Sequence, residues 1–180
     1  MYPDCDEILK MAPDYDIIPV CREIYADVIT SITLLRKLAA VSKRYYLLES
    51  VEGGEKWGRY SFLGFDPVMR VKCSCGKVTI EKDGEETEKV TDKPLEVLRE
   101  ILKDYKAPRL EGLPPFAGGF VGYFAYAMIG YAEPKLNIKK GTFNDYDMML
   151  FDKVIAYDHL KQKISIIVNM KTDKVMENYG

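Results

Sequence analysis

The sequence predicts an α+β chain, mainly antiparallel sheet with a few amphipathic helices. Three observations carry that prediction. Asp83-Gly84 stands between two alternating segments, a strong short-range signal for a hairpin. Apolar residues recur at spacings of three and four in two longer segments, around residues 32–39 and 95–105. The remaining strand-like segments follow one another without the strand-helix-strand rhythm that builds a parallel sheet.

Taken in order, residues 4–11 read as a short helix with Ile8, Leu9 and Met11 on its apolar side, broken by Pro13. Residues 17–24 cluster β-branched side chains, and Pro19 suits a strand edge but not a helix interior. Thr30 or Ser31 is expected to cap a helix that buries Ile32, Leu35, Leu38 and Ala39.

Residues 47–64, LLESVEGGEKWGRYSFLG, read as strand, polar loop, strand. Gly53 and Gly54 permit the positive φ angles and close backbone approach of a tight loop, or of a loop closing over a small ligand. Glu49, Ser50, Glu52, Glu55 and Lys56 crowd donors and acceptors between the two strands. A small zwitterion would find a carboxylate there for its ammonium, and hydroxyl, amide and lysine for its carboxylate. An ordinary solvated hairpin loop has the same composition.

Residues 68–75, 77–82 and 85–90 form an antiparallel meander through Gly76 and Asp83-Gly84. Asp92 can cap the next helix, Pro94 suits its first turn, and Leu95, Leu98, Ile101, Leu102 and Tyr105 make one stripe. Residues 106–115, with three prolines, are a stiff connection. Residues 116–126 are glycine-rich and aromatic but lack both the Lys-Ser/Thr of a P-loop and the Gly-x-Gly-x-x-Gly spacing. Their glycines are expected to let a strand run close to a neighbouring backbone. Residues 147–158 and 163–169 read as two apolar strands. The turn joining them carries the single histidine, His159, which reads as an ordinary solvated residue without a partner.

The 180 residues, 47% of them hydrophobic, suffice for a sizeable core. Lys plus Arg number 26 against 28 Asp plus Glu, with the signs interspersed, so nucleic acid is not an expected partner. No apolar run reaches membrane-span length and the first residues are acidic, so a cytoplasmic protein without a membrane is expected. Four unevenly spread cysteines read as free thiols, and Cys73-Ser-Cys75 has no second ligand pair to complete a metal site. The residues alone point to no catalytic set.

Leu47-Leu48-Glu49-Ser50 and the following Gly-Gly-Glu-Lys-Trp-Gly-Arg-Tyr-Ser-Phe-Leu-Gly closely resemble the N-terminal region of anthranilate synthase component I, a chorismate-utilising enzyme family. Ile18-Pro19-Val20 with Arg22-Glu23-Ile24, Gly118-Gly119-Phe120-Val121-Gly122-Tyr123-Phe124, and Leu150-Phe151-Asp152 through Tyr157-Asp158-His159-Leu160 agree in the same order. The resemblance implies a lyase of tryptophan biosynthesis that converts chorismate and ammonia to anthranilate and pyruvate with Mg2+. The ammonia is drawn from glutamine by a glutamine amidotransferase subunit, component II.

It further implies that residues 1–169 are the N-terminal region, that 170–180 begin a linker, and that catalysis belongs to an absent C-terminal chorismate-binding region. This chain alone is then expected to be inactive. What it carries, by resemblance, is much of the feedback site for tryptophan as allosteric ligand. Glu49 and Ser50 transfer directly on the Leu-Leu-Glu-Ser match, and Lys56 is a candidate for the ligand carboxylate. Ser31 stands where the family commonly has proline. The corresponding part of aminodeoxychorismate synthase component I, or a stand-alone amino-acid-binding module, is the alternative.

Overall fold

The computed structural model describes residues 1–49, 58–133, 135, 136, 138 and 141–179. In chain order its elements are α1 (Cys5–Met11), β1 (Ile17–Tyr25), α2 (Ser31–Val41), β2 (Tyr45–Leu48), β3 (Tyr60–Phe65), β4 (Met69–Ser74), β5 (Lys77–Lys82), β6 (Glu85–Val90), α3 (Pro94–Lys103), β7 (Gly119–Phe124), α4 (Ile129–Ala132), β8 (Tyr146–Phe151), β9 (Lys153–Asp158), β10 (Lys163–Lys171) and α5 (Val175–Asn178). The chain is α+β with two five-stranded antiparallel sheets, as its hairpin signals require. It divides into two compact units: Met1–Pro67, Tyr105–Gly118 and Phe151–Gly180, and Val68–Asp104 with Gly119–Leu150. No described helix is long and apolar enough to cross a membrane.

The first unit holds the sheet ordered β1-β10-β9-β3-β2. Asp4 opens α1 with a capping box, accepting the Glu7 amide at 2.9 Å while Glu7 accepts the Asp4 amide at 3.0 Å. Ile8 is buried with Ile18, Met170 and Val175, whereas Leu9 is exposed. On β1 the Cys21 amide and carbonyl turn away from β10 to bridge Tyr2, at 2.7 and 2.9 Å. Pro19, two residues earlier, has its nitrogen on that same outer side, so its missing N–H removes no ladder bond. Thr30 caps α2 through its Oγ1, which accepts the Thr33 amide at 3.1 Å. The face α2 buries differs from the expected one: Ser31 and Leu38 are buried and Ile32 and Ala39 are exposed.

Inner strands β3 and β9 pair with each other through Tyr60↔Asp158 to Gly64↔Val154. Opposite Gly64 on β2 stands Tyr46, whose ring occupies the place a Cβ on Gly64 would take. The polar tail beyond residue 169 is ordered: β10 runs to Lys171, and Val175 of α5 is buried.

The second unit holds the sheet ordered β6-β5-β4-β8-β7. Its two tight turns, Cys75-Gly76 and Asp83-Gly84, have φ of 53° and 77°, and 52° and 83°, the paired positive angles of a type I′ hairpin. Gly122 on β7 lies so close to the Asp147 carbonyl that a Cβ would collide with it, the close approach expected of that glycine-rich strand. Helix α3 lies against β5 and buries Val97 and Leu98, while Leu95 and Leu102 of the expected stripe are exposed. Lys93 stands at its N-cap in place of Asp92, and its amide donates to Thr91 Oγ1 at 3.0 Å. The single strand expected over 147–158 is two strands, β8 in this sheet and β9 in the first unit's, parted at Asp152. Both halves are largely buried, so apolarity runs through the break without marking it.

Candidate functional site

Three separate stretches of the first unit meet at one carboxylate. Capping by Thr30 starts α2 at Ser31, a buried residue whose hydroxyl points at the residue following β2, Glu49. Ser31 Oγ donates to Glu49 Oε1 at 2.6 Å. Ser61, on inner strand β3, has no exposed surface, so its hydroxyl must find partners inside the fold. It finds two: Glu49 Oε1 at 3.2 Å and His159 Nε2 at 2.7 Å.

His159 follows the last residue of β9 and is held on several sides. Its amide donates to the Arg59 carbonyl at 2.8 Å, its carbonyl accepts from Gln162 Nε2 at 2.7 Å, and its ring lies 4.7 Å from that of Tyr157. The turn itself is organised by Asp158. Oδ1 takes the Leu160 and Lys161 amides at 3.0 Å each, and Oδ2 takes Arg59 Nη2 at 2.7 Å. Arg59 Nε completes the fork at 3.1 Å from Oδ1. Burial pushes the Asp158 carboxyl up, but the Arg59 hydrogen bond and the Lys161 and Leu160 amides outweigh it and bring it below its ordinary range. Asp158 drives the Arg59 guanidinium upward in return.

Hydrogen-bond direction fixes the chemistry of this cluster. A carboxylate oxygen only accepts, so the single proton of Ser61 goes to Glu49. Both contacts of Ser61 are then satisfied together only in the His159 tautomer that carries a proton on Nε2. A serine nucleophile needs the opposite arrangement, with the imidazole accepting the serine proton and the carboxylate on the far side of the ring. Here the Glu49 carboxylate lies against Ser61 and Ser31 instead of on the far side of the ring, so Ser61, His159 and Glu49 do not have the triad geometry. Glu49 is exposed, and both of its described bonds fall on one oxygen, Oε1. Of the three sequence-predicted site residues Glu49 alone falls within the description; Ser50 and Lys56 lie outside the described residues.

Sequence reasoning missed Ser61 and His159. His159 is exposed, as a turn residue should be, yet it has a partner 98 positions away in the chain. The available signal was a serine at an inward position of an otherwise apolar strand.

A cavity of about 600 Å3 lies within the second unit beside Asp145 and Tyr131. Asp145 Oδ2 accepts the Cys75 amide and the Tyr131 hydroxyl, each at 2.7 Å, and the Cys73 thiol at 3.6 Å. Burial, with the Asp145 contacts adding to it, raises the Tyr131 phenol. Burial likewise pushes the Cys73 thiol up to about 11. Both groups therefore keep their protons near neutrality and act as donors to Asp145, not as nucleophiles. Among the described residues no three His, Cys, Asp or Glu side chains come together as a metal site would need.

Two five-stranded antiparallel sheets with helices define an α+β fold that is also found in a solved crystal structure. That crystal structure, of anthranilate synthase component I from Streptococcus pneumoniae TIGR4, superposes with a TM-score of 0.52 at 26% identity, over 84% of this chain and 32% of that one. Anthranilate synthase component 1 of Acetivibrio thermocellus is 43% identical over 179 residues, 98% of this chain and 36% of that protein. The Pseudomonas aeruginosa protein of the same name is 40% identical over 169 residues, 91% and 34% of the two chains. No family profile matches the chain. The chain is thus similar along nearly its whole length to anthranilate synthase component 1 proteins, and it spans about a third of the length of the relatives it matches.

Proposed function

We propose that this chain is the N-terminal regulatory part of anthranilate synthase component I and that the Glu49 cluster is part of its tryptophan feedback site. The observation that carries this reading is the Glu49 carboxylate, exposed to a ligand and yet held by Ser31 and Ser61. An ammonium group is the natural partner of such a carboxylate. Ser50 then hydrogen-bonds a polar group of the amino acid, and Lys56 neutralises its carboxylate.

In the complete enzyme chorismate and glutamine-derived ammonia give anthranilate and pyruvate in a C-terminal region, with a glutamine amidotransferase as component II. The clusters described above supply neither an activated nucleophile nor a base aimed at a substrate, which supports a regulatory role for this part. Among the described residues no His, Cys, Asp or Glu side chains come together as a donor set for magnesium. Tryptophan acts by favouring one arrangement of this part against the catalytic region, and its reach is limited to its difference in affinity for the two.

Calorimetric titration of tryptophan into the complete subunit and into this chain tests the reading. The complete subunit is expected to bind, this chain weakly or not at all, and Glu49→Gln is expected to remove binding from the complete subunit. Undiminished binding in that variant overturns the site assignment.

A further inference from the structure

We infer that His159 is a positioning residue of the Glu49 site: its Nε2–H holds the Ser61 hydroxyl, and that hydroxyl orients the Glu49 carboxylate. Glu49 accepts and Ser61 has one proton to give it, so both contacts of Ser61 are satisfied together when the 2.7 Å contact with His159 has its hydrogen on the ring. The ring is then held as the Nε2–H tautomer.

The ring is held from other sides as well: the adjacent Asp158 carboxylate is fixed by the Arg59 fork and two backbone amides, and Tyr157 presents a ring face. An effect of His159 on a bound amino acid rests on the reading proposed above; the tautomer does not.

The chain has a single histidine, so nitrogen NMR of the ring reports on His159 without interference. In the unliganded 180-residue chain the Nε2–H tautomer is expected at high pH. Ser61→Ala, which removes the acceptor of Nε2–H, is expected to release the ring to a mixture of tautomers. A dominant Nδ1–H tautomer in the parent chain, or a tautomer unmoved by Ser61→Ala in a variant that still folds, overturns the inference.

In the complete subunit, His159→Ala is expected to loosen tryptophan inhibition about threefold, and His159→Gln, which keeps a donor for Ser61, to restore most of it. If the tautomer is found and His159→Ala leaves tryptophan inhibition unchanged, the ligand assignment fails while the positioning role stands.

Discussion

Glu49 and Asp145 are both carboxylates that collect hydroxyl donors, and the contrast between them separates a structural acid from a binding one. Asp145 is 9% exposed, and its donors are a backbone amide, a phenol and a thiol. One of these fixes the positive-φ turn at Cys75, and all three are spent on a single oxygen deep in the second unit. Glu49 lies at the end of a strand with surface to offer, and its two serines restrain the side chain without enclosing it. Asp145 is thus enclosed by its donors, whereas Glu49 keeps the exposed surface that the proposed recognition role requires.

That contrast can be broken most severely at Asp145. Asp145→Ala leaves the Cys75 amide and the Tyr131 hydroxyl without their acceptor, and about 3 kcal/mol of stability should be lost in chemical denaturation. A variant as stable as the parent would remove the distinction.

Next is Asp158→Asn, which unmakes the fork with Arg59 and loosens the turn carrying His159; about 2 kcal/mol is expected. The associated pH effect has a definite sign. The folded Asp158 carboxyl titrates below its unfolded counterpart, so its contribution is complete above about pH 4 and is lost as pH falls through the lower folded value. Acid unfolding of the Asp158→Asn chain should lack that component.

Ser61→Ala removes a buried hydroxyl together with its two bonds, for about 1 kcal/mol in thermal unfolding. Its sharper effect should be looser tryptophan inhibition in the complete subunit. Smallest in stability is Glu49→Gln, within about 0.5 kcal/mol because the residue is exposed. A large stability loss there would make Glu49 another Asp145. Ser50→Phe in the complete subunit should abolish tryptophan inhibition and spare uninhibited turnover, read from inhibition curves.

What was legible in the sequence was local. Asp83-Gly84 declares its turn because the backbone angles it needs are favoured by those two residue types, and Pro19 declares a strand side without a donor to lose. The spacing of Leu38 declared a helix, but the face that helix buries is chosen by what it packs on. Ser31 is inside and Ile32 outside because Glu49 and β3 lie on Ser31's side. Residues 147–158 offered no mark at Asp152, since a strand buried in either sheet reads as the same apolar run. Glu49 stood out through its motif, whereas His159 became meaningful only when the fold brought Ser61 to it.

The short bridge between Tyr2 and Cys21 has a wider consequence. Outer strand β1 would otherwise offer a free peptide amide and carbonyl at Cys21 to any passing chain, beside a proline that offers no donor. Tyr2 occupies both groups, so the first residues act as a stopper against strand-to-strand self-association. Deleting residues 1–3 should free both groups and promote strand-to-strand association at high concentration, visible by light scattering before any change in secondary structure.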